Sequence, residues 1–266
     1  CGGMHTAAVA PKGELFAWGR ADSGQLGIGK RWLGSLPQQG SNDSKGVCYP
    51  TRVATFKPTE DPVCMVSCGA FHTVAVTSSG ALYSWGREEF GCLGIYFTGD
   101  RLVSGVYKPQ KVELPAGVSS IVAVSCGGAH TLALDSQGQV LCCGKNEAGR
   151  LGLGDSNTNR ITFEVVKSLA NVKIDRLAAG GSHSLFLSKE GDLYACGRAT
   201  LGRLGVGVNP PCPKKEGINS PVMIIAKNSL GSQSSGNSSN ESTEETPKKS
   251  VVSFAAGGQH SCVVFN

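Results

Sequence analysis

The sequence is poor in charge and contains no long apolar run. Charged residues make up 17% of the chain, against about a quarter in a typical soluble domain. No apolar stretch reaches the roughly 18 residues that a membrane-spanning helix needs, so we expect no membrane insertion. The net charge of +5, from 25 basic and 20 acidic residues, is too small to indicate nucleic-acid binding by itself.

Paired cysteine motifs are also absent. The 11 cysteines are an odd number spread over 266 residues, and no two of them form a CxxC pair. This differs from a small disulfide scaffold, so we predict free thiols in a reducing compartment, cytoplasmic or nuclear. The chain begins at Cys1 and not at methionine, and we expect it to be a fragment of a longer protein.

Glycine, in contrast, is in excess. It accounts for 37 of 266 residues, about 14% against a usual value near 7%. Each interior glycine costs a helix roughly 1 kcal/mol relative to alanine, so the composition excludes a helical protein. The length and the 40% hydrophobic content are enough for a globular chain with one large domain or two small ones.

All five histidines occur in the same local sequence. The shared motif is six residues long: cysteine or alanine, glycine, glycine or alanine, any residue, histidine, and threonine or serine. It occurs at Cys1–Thr6, Cys68–Thr73, Cys126–Thr131, Ala179–Ser184 and Ala256–Ser261. Glycine recurs 8, 14, 19 and 22 residues after the first four histidines. Successive histidines are 67, 58, 53 and 77 residues apart, so a core of about 32 residues repeats while its connectors vary. This pattern indicates a solenoid or a propeller.

The core of the repeat has the pattern of a β-hairpin. Apolar and other residues alternate from His72 to Val76, Thr77–Gly80 has the composition of a turn, and Leu82–Trp85 begins a second strand. The glycine eight residues after each histidine supplies the positive φ that a tight hairpin turn requires. With one strand before the histidine and one in the connector, each unit forms a small antiparallel sheet, the blade of a propeller.

The combination of CGGxHT, the hairpin glycine, the YxWG of Tyr83–Gly86 and the GxLG of Gly24–Gly27 resembles the repeat of the regulator of chromosome condensation family. The resemblance covers all four units and implies an all-β fold, a β-propeller of four-stranded antiparallel blades, seven in a whole propeller. We predict a single domain over 1–266 that is a partial arc of such a propeller. It contains repeat units at about 1–62, 63–120, 121–173 and 174–250, then a trailing strand at 251–266.

The repeat accounts for motifs that would otherwise indicate chemistry. Histidine is a common metal ligand, but equivalent positions around a ring are held apart, so we interpret all five as structural, each using its ring nitrogens for backbone groups near the Gly-Gly turn: His5, His72, His130, His183 and His260. Cysteine interchanges with alanine or tryptophan, which indicates packing and not zinc. Gly24–Lys30 resembles a phosphate-binding loop, but Arg31 stands where a hydroxyl is needed. We predict no metal, no cofactor and no active site, hence no enzyme.

One charge pattern recurs in the units. The residue fifteen after each of the first four histidines is basic, and two further arginines lie in the GxLG segments of the last two units; the six are Arg20, Arg87, Lys145, Arg198, Arg150 and Arg203. A ring of cations on one face could bind an acidic loop, a phosphate or a nucleic-acid backbone. The same residues could equally be solvated loop positions.

Two connectors are long. The segment from Lys30 to Tyr49 carries Trp32 among polar residues, and we predict a protruding contact element there. The segment 228–250 is rich in serine and has almost no apolar content, so we predict a disordered insertion.

The constant residues serve the scaffold and the variable connectors form the surface, so we predict a non-catalytic platform that binds a partner protein through one loop face. The family resemblance implies an alternative: a guanine nucleotide exchange factor for a Ran-type small GTPase, with chromatin association. It also implies partners in the ubiquitin pathway for other branches of the family. The Lys30 to Tyr49 connector is the one candidate for the wedge that such an exchange factor inserts.

Overall fold

The computed structural model of the protein describes residues 1–33, 46–96, 105–207, 217–226 and 250–266. The predicted disordered insertion, apart from Ser250, and most of the predicted contact element lie outside these residues, and so does the side chain of Trp32. The remaining chain is built from antiparallel strands, with one four-residue helix, α1 (Lys30–Leu33). Short 3-10 turns occur at Glu89–Gly91, Glu147–Gly149, Lys167–Leu169 and Thr200–Gly202.

The strands form five sheets in chain order. The first blade has three strands, β1 (His5–Val9), β2 (Leu15–Arg20) and β3 (Gly46–Arg52). The second blade comprises β4 (Val63–Cys68), β5 (His72–Thr77), β6 (Leu82–Gly86) and β7 (Val106–Lys111). The third comprises β8 (Ile121–Cys126), β9 (His130–Asp135), β10 (Val140–Gly144) and β11 (Arg160–Val165). The fourth comprises β12 (Ile174–Ala179), β13 (His183–Ser188), β14 (Leu193–Gly197) and β15 (Ile218–Ile225).

The trailing segment differs from the prediction of a single strand. It forms a two-stranded sheet of β16 (Val251–Ala256) and β17 (Ser261–Phe265), because the Gly-Gly loop at Gly257 turns the chain back as in the other blades. The prediction of a β-propeller with antiparallel blades is confirmed, and the second, third and fourth blades have the predicted four strands. Neighbouring sheets pack face to face, and the first strands of successive sheets contact one another: β4 with β8, β8 with β12, and β12 with β16.

Apolar side chains fill the space between the blades. Val74 of the second blade and Leu141 and Phe163 of the third lie in one buried cluster. Leu132 of the third blade and Phe186 of the fourth lie in the next one. In the second, third and fourth blades the strand that begins with histidine (β5, β9 and β13) is buried at every residue, so it runs through the middle of the packed structure.

The strand register defines two faces of the propeller. Hairpin turns lie on one face, which we call the hairpin face; there Gly80 and Gly138 have φ of 79° and 81°, as the turn pattern predicts. On the other face His72 pairs with Gly86, and the loops that join the second hairpin strand to the last strand of the blade begin. We call it the connector face, and its connectors are 21–45, 87–105, 145–159 and 198–217.

Candidate functional site

The repeat histidines lie at the connector face and join one blade to the next. In the first four, the Nε2 atom is within hydrogen-bond distance of a hydroxyl of the following sheet; the pairs are His5–Thr73 (2.6 Å), His72–Thr131 (3.0 Å), His130–Ser184 (3.1 Å) and His183–Ser261 (2.9 Å). Each hydroxyl in turn donates to a carbonyl of the preceding blade, that of Gln25, Cys92, Arg150 or Arg203, at 2.6–2.7 Å. Because the hydroxyl uses its only proton on the carbonyl, Nε2 donates to it.

The predicted partners of these histidines were therefore wrong in one respect. The Nε2 atoms bind side-chain hydroxyls of the next blade and not backbone groups near their own Gly-Gly turn. Burial keeps the rings neutral: it lowers the pKa of His5 to about 4, of His72 to about 3 and of His183 to about 4. Burial, with the charge of Arg150, lowers the pKa of His130 well below its ordinary value.

Replacing the bridging hydroxyl tests this arrangement. Thr131→Val keeps the shape of the side chain but leaves the Nε2–H of His72 and the carbonyl of Cys92 without their hydroxyl partner. Each unpaired buried group costs about 1–3 kcal/mol, so we expect the free energy of unfolding to fall by about 3 kcal/mol. Thr131→Ser is the matched control and should cost less than about 1 kcal/mol, since serine holds this place at Ser184 and Ser261. Equal stability of the two variants in urea titrations would contradict the bridge.

The four cations that recur fifteen residues after a histidine lie at the end of the second hairpin strand or directly after it, and each of the first three has an acid two residues later. Arg20 pairs with Asp22 at 2.6 Å, Arg87 with Glu89 at 3.0 Å and Lys145 with Glu147 at 2.7 Å. The guanidinium groups of Arg20 and Arg87 also lie over the ring of Phe71, at 5.6 and 5.3 Å from its centre. The ammonium of Lys145 lies 4.7 Å from the ring centre of Phe90.

The two arginines of the GxLG segments, Arg150 and Arg203, are not on the surface. The side chain of Arg150 is 4% exposed and donates to the carbonyls of Glu147 (3.1 Å) and Gly181 (3.2 Å). Arg203 is 6% exposed and donates to the carbonyl of Thr200 at 3.0 Å. The expectation that both add charge to an exposed ring is therefore wrong: their planar groups are taken up by backbone carbonyls inside the blade junctions.

Sequence reasoning missed the acids and the aromatic residues of this face. Asp22, Glu89 and Glu147 all stand seventeen residues after a repeat histidine, so the repeat register contained the signal. Phe71 and Phe90 carry no such periodic signal, because the equivalent positions hold unrelated residues. Phe90 has a positive φ of 62°, which a bulky residue adopts only where the surrounding turn enforces it.

The cysteines and the other titratable groups offer little chemistry in the described part of the chain. Burial raises the pKa of Cys92 to about 12 and also raises those of Cys126, Cys142, Cys143 and Cys196, which makes these thiols unreactive. Within residues 1–33, 46–96, 105–207, 217–226 and 250–266, no group of three or more His, Cys, Asp or Glu side chains is placed to hold a metal ion.

Helices of the described residues are all too short or too polar to cross a bilayer.

Comparison with known proteins identifies the repeat. The profile of the RCC1-like domain matches residues 1–266. The RCC1 domain-containing protein RUG3, mitochondrial, of Arabidopsis thaliana is 35% identical over 264 residues, which is 98% of this chain and 52% of that protein. The Ultraviolet-B receptor UVR8 of the same plant is 31% identical over 207 residues, 77% of this chain and 42% of the receptor. The chain thus spans about half the length of these relatives or less.

Solved structures agree on the fold. Human WBSCR16 superposes with a TM-score of 0.76 at 22% identity, covering 100% of this chain and 58% of that one. Prp20p from Saccharomyces cerevisiae, a protein described with its binding to Gsp1p and histones, superposes with a TM-score of 0.56 at 16% identity. The match covers 99% of this chain and 81% of that one. At these identities the structures support the architecture alone. With the profile match over its whole length and a relative at 35% identity, the chain belongs to the RCC1-like domain family.

Proposed function

We propose that this chain is a non-catalytic interaction platform that binds a partner protein through its connector face. The observation that carries the proposal is that the loops of the two faces differ. The hairpin turns are short and uniform, whereas the four connectors differ in length and sequence and all leave the same face. A rigid scaffold that presents variable loops on one side is the arrangement of a binding surface.

The composition of the connector face supports a protein as partner. Arginine and aromatic side chains are enriched where proteins bind one another, and here the guanidinium groups of Arg20 and Arg87 both lie over the ring of Phe71. Phe90 and Arg198 are also partly exposed on this face. Relatives such as the human Probable E3 ubiquitin-protein ligase HERC3, 33% identical over 216 residues, carry a similar region in 19% of their length, so a ubiquitin-pathway partner is included in the proposal.

We do not propose nucleotide exchange. Of the connector predicted to act as a wedge, residues 34–45 lie outside the described residues, and the similarity to Prp20p supports the fold alone. In an assay with a fluorescent guanine nucleotide on a Ran-type GTPase, we expect the chain to leave the rate of nucleotide release unchanged.

The free thiols of the described residues support a reducing compartment. The cytoplasmic or nuclear location stays a prediction, because the relative RUG3 is named as a mitochondrial protein.

Site-specific photo-crosslinking tests the platform. A benzophenone side chain placed at Phe90 on the connector face should capture partner proteins from lysate, whereas the same group at Gln137, exposed on the hairpin face, should capture none of them. Charge reversal at Lys145 and Arg198 together should weaken that capture, and added salt should weaken it for the wild type, because exposed charges are screened over about 8–10 Å. Equal capture of the same proteins from both faces would contradict the proposed function.

A further inference from the structure

The fourth unit lacks the pair of a cation and an acid that the first three units carry on the connector face. The first three units carry an acid two residues after the cation, but the fourth carries the exposed Thr200 two residues after Arg198. Arg198 instead reaches across the blade junction to Glu147 of the third blade. At this position of the repeat, and within the described residues, Arg198 is thus the one cation that has no acid of its own unit.

Glu147 consequently serves several cations at once. One of its carboxylate oxygens lies 2.7 Å from the ammonium of Lys145 and 3.4 Å from the guanidinium of Arg150, and the other contacts Arg198. The hydrogen bond from Lys145, together with the charges of Lys145, Arg198 and Arg150, lowers the pKa of this carboxyl. Within the described residues, three cations therefore share one carboxylate.

The cations repel one another at this junction. Burial comes first among the causes that lower the pKa of Arg150, and the charges of Arg198 and Arg203 lower it further. Burial and the charge of Arg198 likewise lower the pKa of Arg203. Arg198 is 40% exposed and Lys145 is 31% exposed, so the uncompensated positive charge is accessible from solvent. We call the group Lys145, Glu147, Arg198 and Thr200 the junction site.

We propose that the junction site receives a carboxylate from an acidic segment of a partner protein, placed where Asp22, Glu89 and Glu147 stand in the other units. The proposal rests on the proposed function, because it names the chemistry of the partner that the connector face binds. Arg198 is the residue that binds the incoming carboxylate, since its guanidinium offers five donors and Glu147 occupies only one side of it.

A protein segment fits the charge distribution better than a nucleic acid. The repeat cations at the equivalent positions of the first two units, Arg20 and Arg87, are each paired with an acid of their own unit, so among these described repeat cations the unshared positive charge is confined to the junction site. Nucleic-acid binding depends on many cations that follow a phosphate backbone. A short acidic segment needs only one such site, with Phe90 available beside Lys145 for apolar contact.

Binding of fluorescein-labelled hexaglutamate to the purified chain, followed by fluorescence anisotropy, tests this. Thr200→Glu installs the acid that the other units carry, so it should fold normally and weaken binding about ten-fold, the effect of one added charge a few ångströms from the bound carboxylate. Gln137→Glu, on the hairpin face, adds the same charge and should change binding less than about two-fold.

Two further variants test the site with the opposite sign. Glu147→Gln removes the competing carboxylate and should tighten binding, whereas Glu89→Gln changes the net charge equally and should tighten it less. Equal effects of the matched variants, or tighter binding of a fluorescein-labelled poly-uridine of equal charge, would overturn the junction site. Hexaglutamate binding needs no native partner, so the two experiments are independent. A negative result with hexaglutamate would contradict the junction site only, and a negative crosslinking result would contradict the proposed function only.

Discussion

Acidification from pH 7 to pH 5 should remove about 7 kcal/mol from the free energy of unfolding of this chain. Four buried histidines, His5, His72, His130 and His183, have pKa values lowered by burial, three of them to about 3 or 4. In the unfolded chain each binds a proton near pH 6.5, while the folded chain binds none until far lower pH. Unfolding therefore takes up protons, and stability falls as the pH drops below 6.5.

The size of the effect follows from the number of rings. Each ring contributes about 2 kcal/mol between pH 7 and pH 5, and the slope near pH 5.5 is about 5 kcal/mol per pH unit for all four together. Because a domain of this size is stable by about 5–15 kcal/mol, the chain should begin to unfold near pH 5. Urea titrations at half-unit steps between pH 7.5 and pH 5 measure the slope directly.

A histidine variant distinguishes these rings from the carboxylates that also titrate in acid. His130→Gln keeps a polar side chain at a buried position and removes one titrating group, so the slope near pH 5.5 should fall by about a quarter, whatever the variant's stability at pH 7. Thr131→Ser, which removes no titrating group and keeps the hydroxyl that binds His72, is the control and should retain the slope of the wild type. A wild-type stability that is constant from pH 7 to pH 5 would exclude neutral, buried histidines.

The blade architecture was predictable from the sequence because its determinants are local. The glycine eight residues after each histidine and the strand alternation around His72–Val76 lie within one hairpin, so a single unit contains the whole signal. The partners of the histidines were not predictable in this way, because each hydroxyl lies one blade further on, as Thr131 does from His72. The threonine or serine after every histidine was visible in the repeat, but only the packing of blades gives it a role.

The sequence predicts which residues near the connector face are charged, but it does not predict whether each side chain is exposed or buried. Arg87 and Arg150 are both basic residues in loops, yet Arg87 is exposed beside Glu89 whereas Arg150 is buried against backbone carbonyls. Side-chain burial depends on how one blade meets the next, and no spacing within a unit determines it. The missing acid at Thr200, in contrast, follows from the repeat register alone. Its consequence is visible only in the structure, where Lys145 and Arg198 share the carboxylate of Glu147.

Gly127→Ala should destabilise the chain by about 3 kcal/mol, the upper range for overpacking in a rigid core. A Cβ atom at Gly127 would lie 2.2 Å from Cε1 of His130 and 2.5 Å from the carbonyl oxygen of Gly180 in the next blade. The backbone oxygen cannot rotate away, and the ring is held by Ser184. Gly258→Ala, in the corresponding loop of the last sheet, meets no atom within 4 Å and should cost less than about 1 kcal/mol.

A double-mutant cycle separates the two contacts at Gly127. In a His130→Ala background the ring is gone, so Gly127→Ala should cost less there than in the wild type, with a coupling of about 1 kcal/mol or more. The carbonyl of Gly180 remains, so the cost should not vanish. Additive effects of the two substitutions in urea titrations would mean that the glycine and the ring do not meet. The first glycine of each Gly-Gly loop would then be required for another reason than contact with its own histidine.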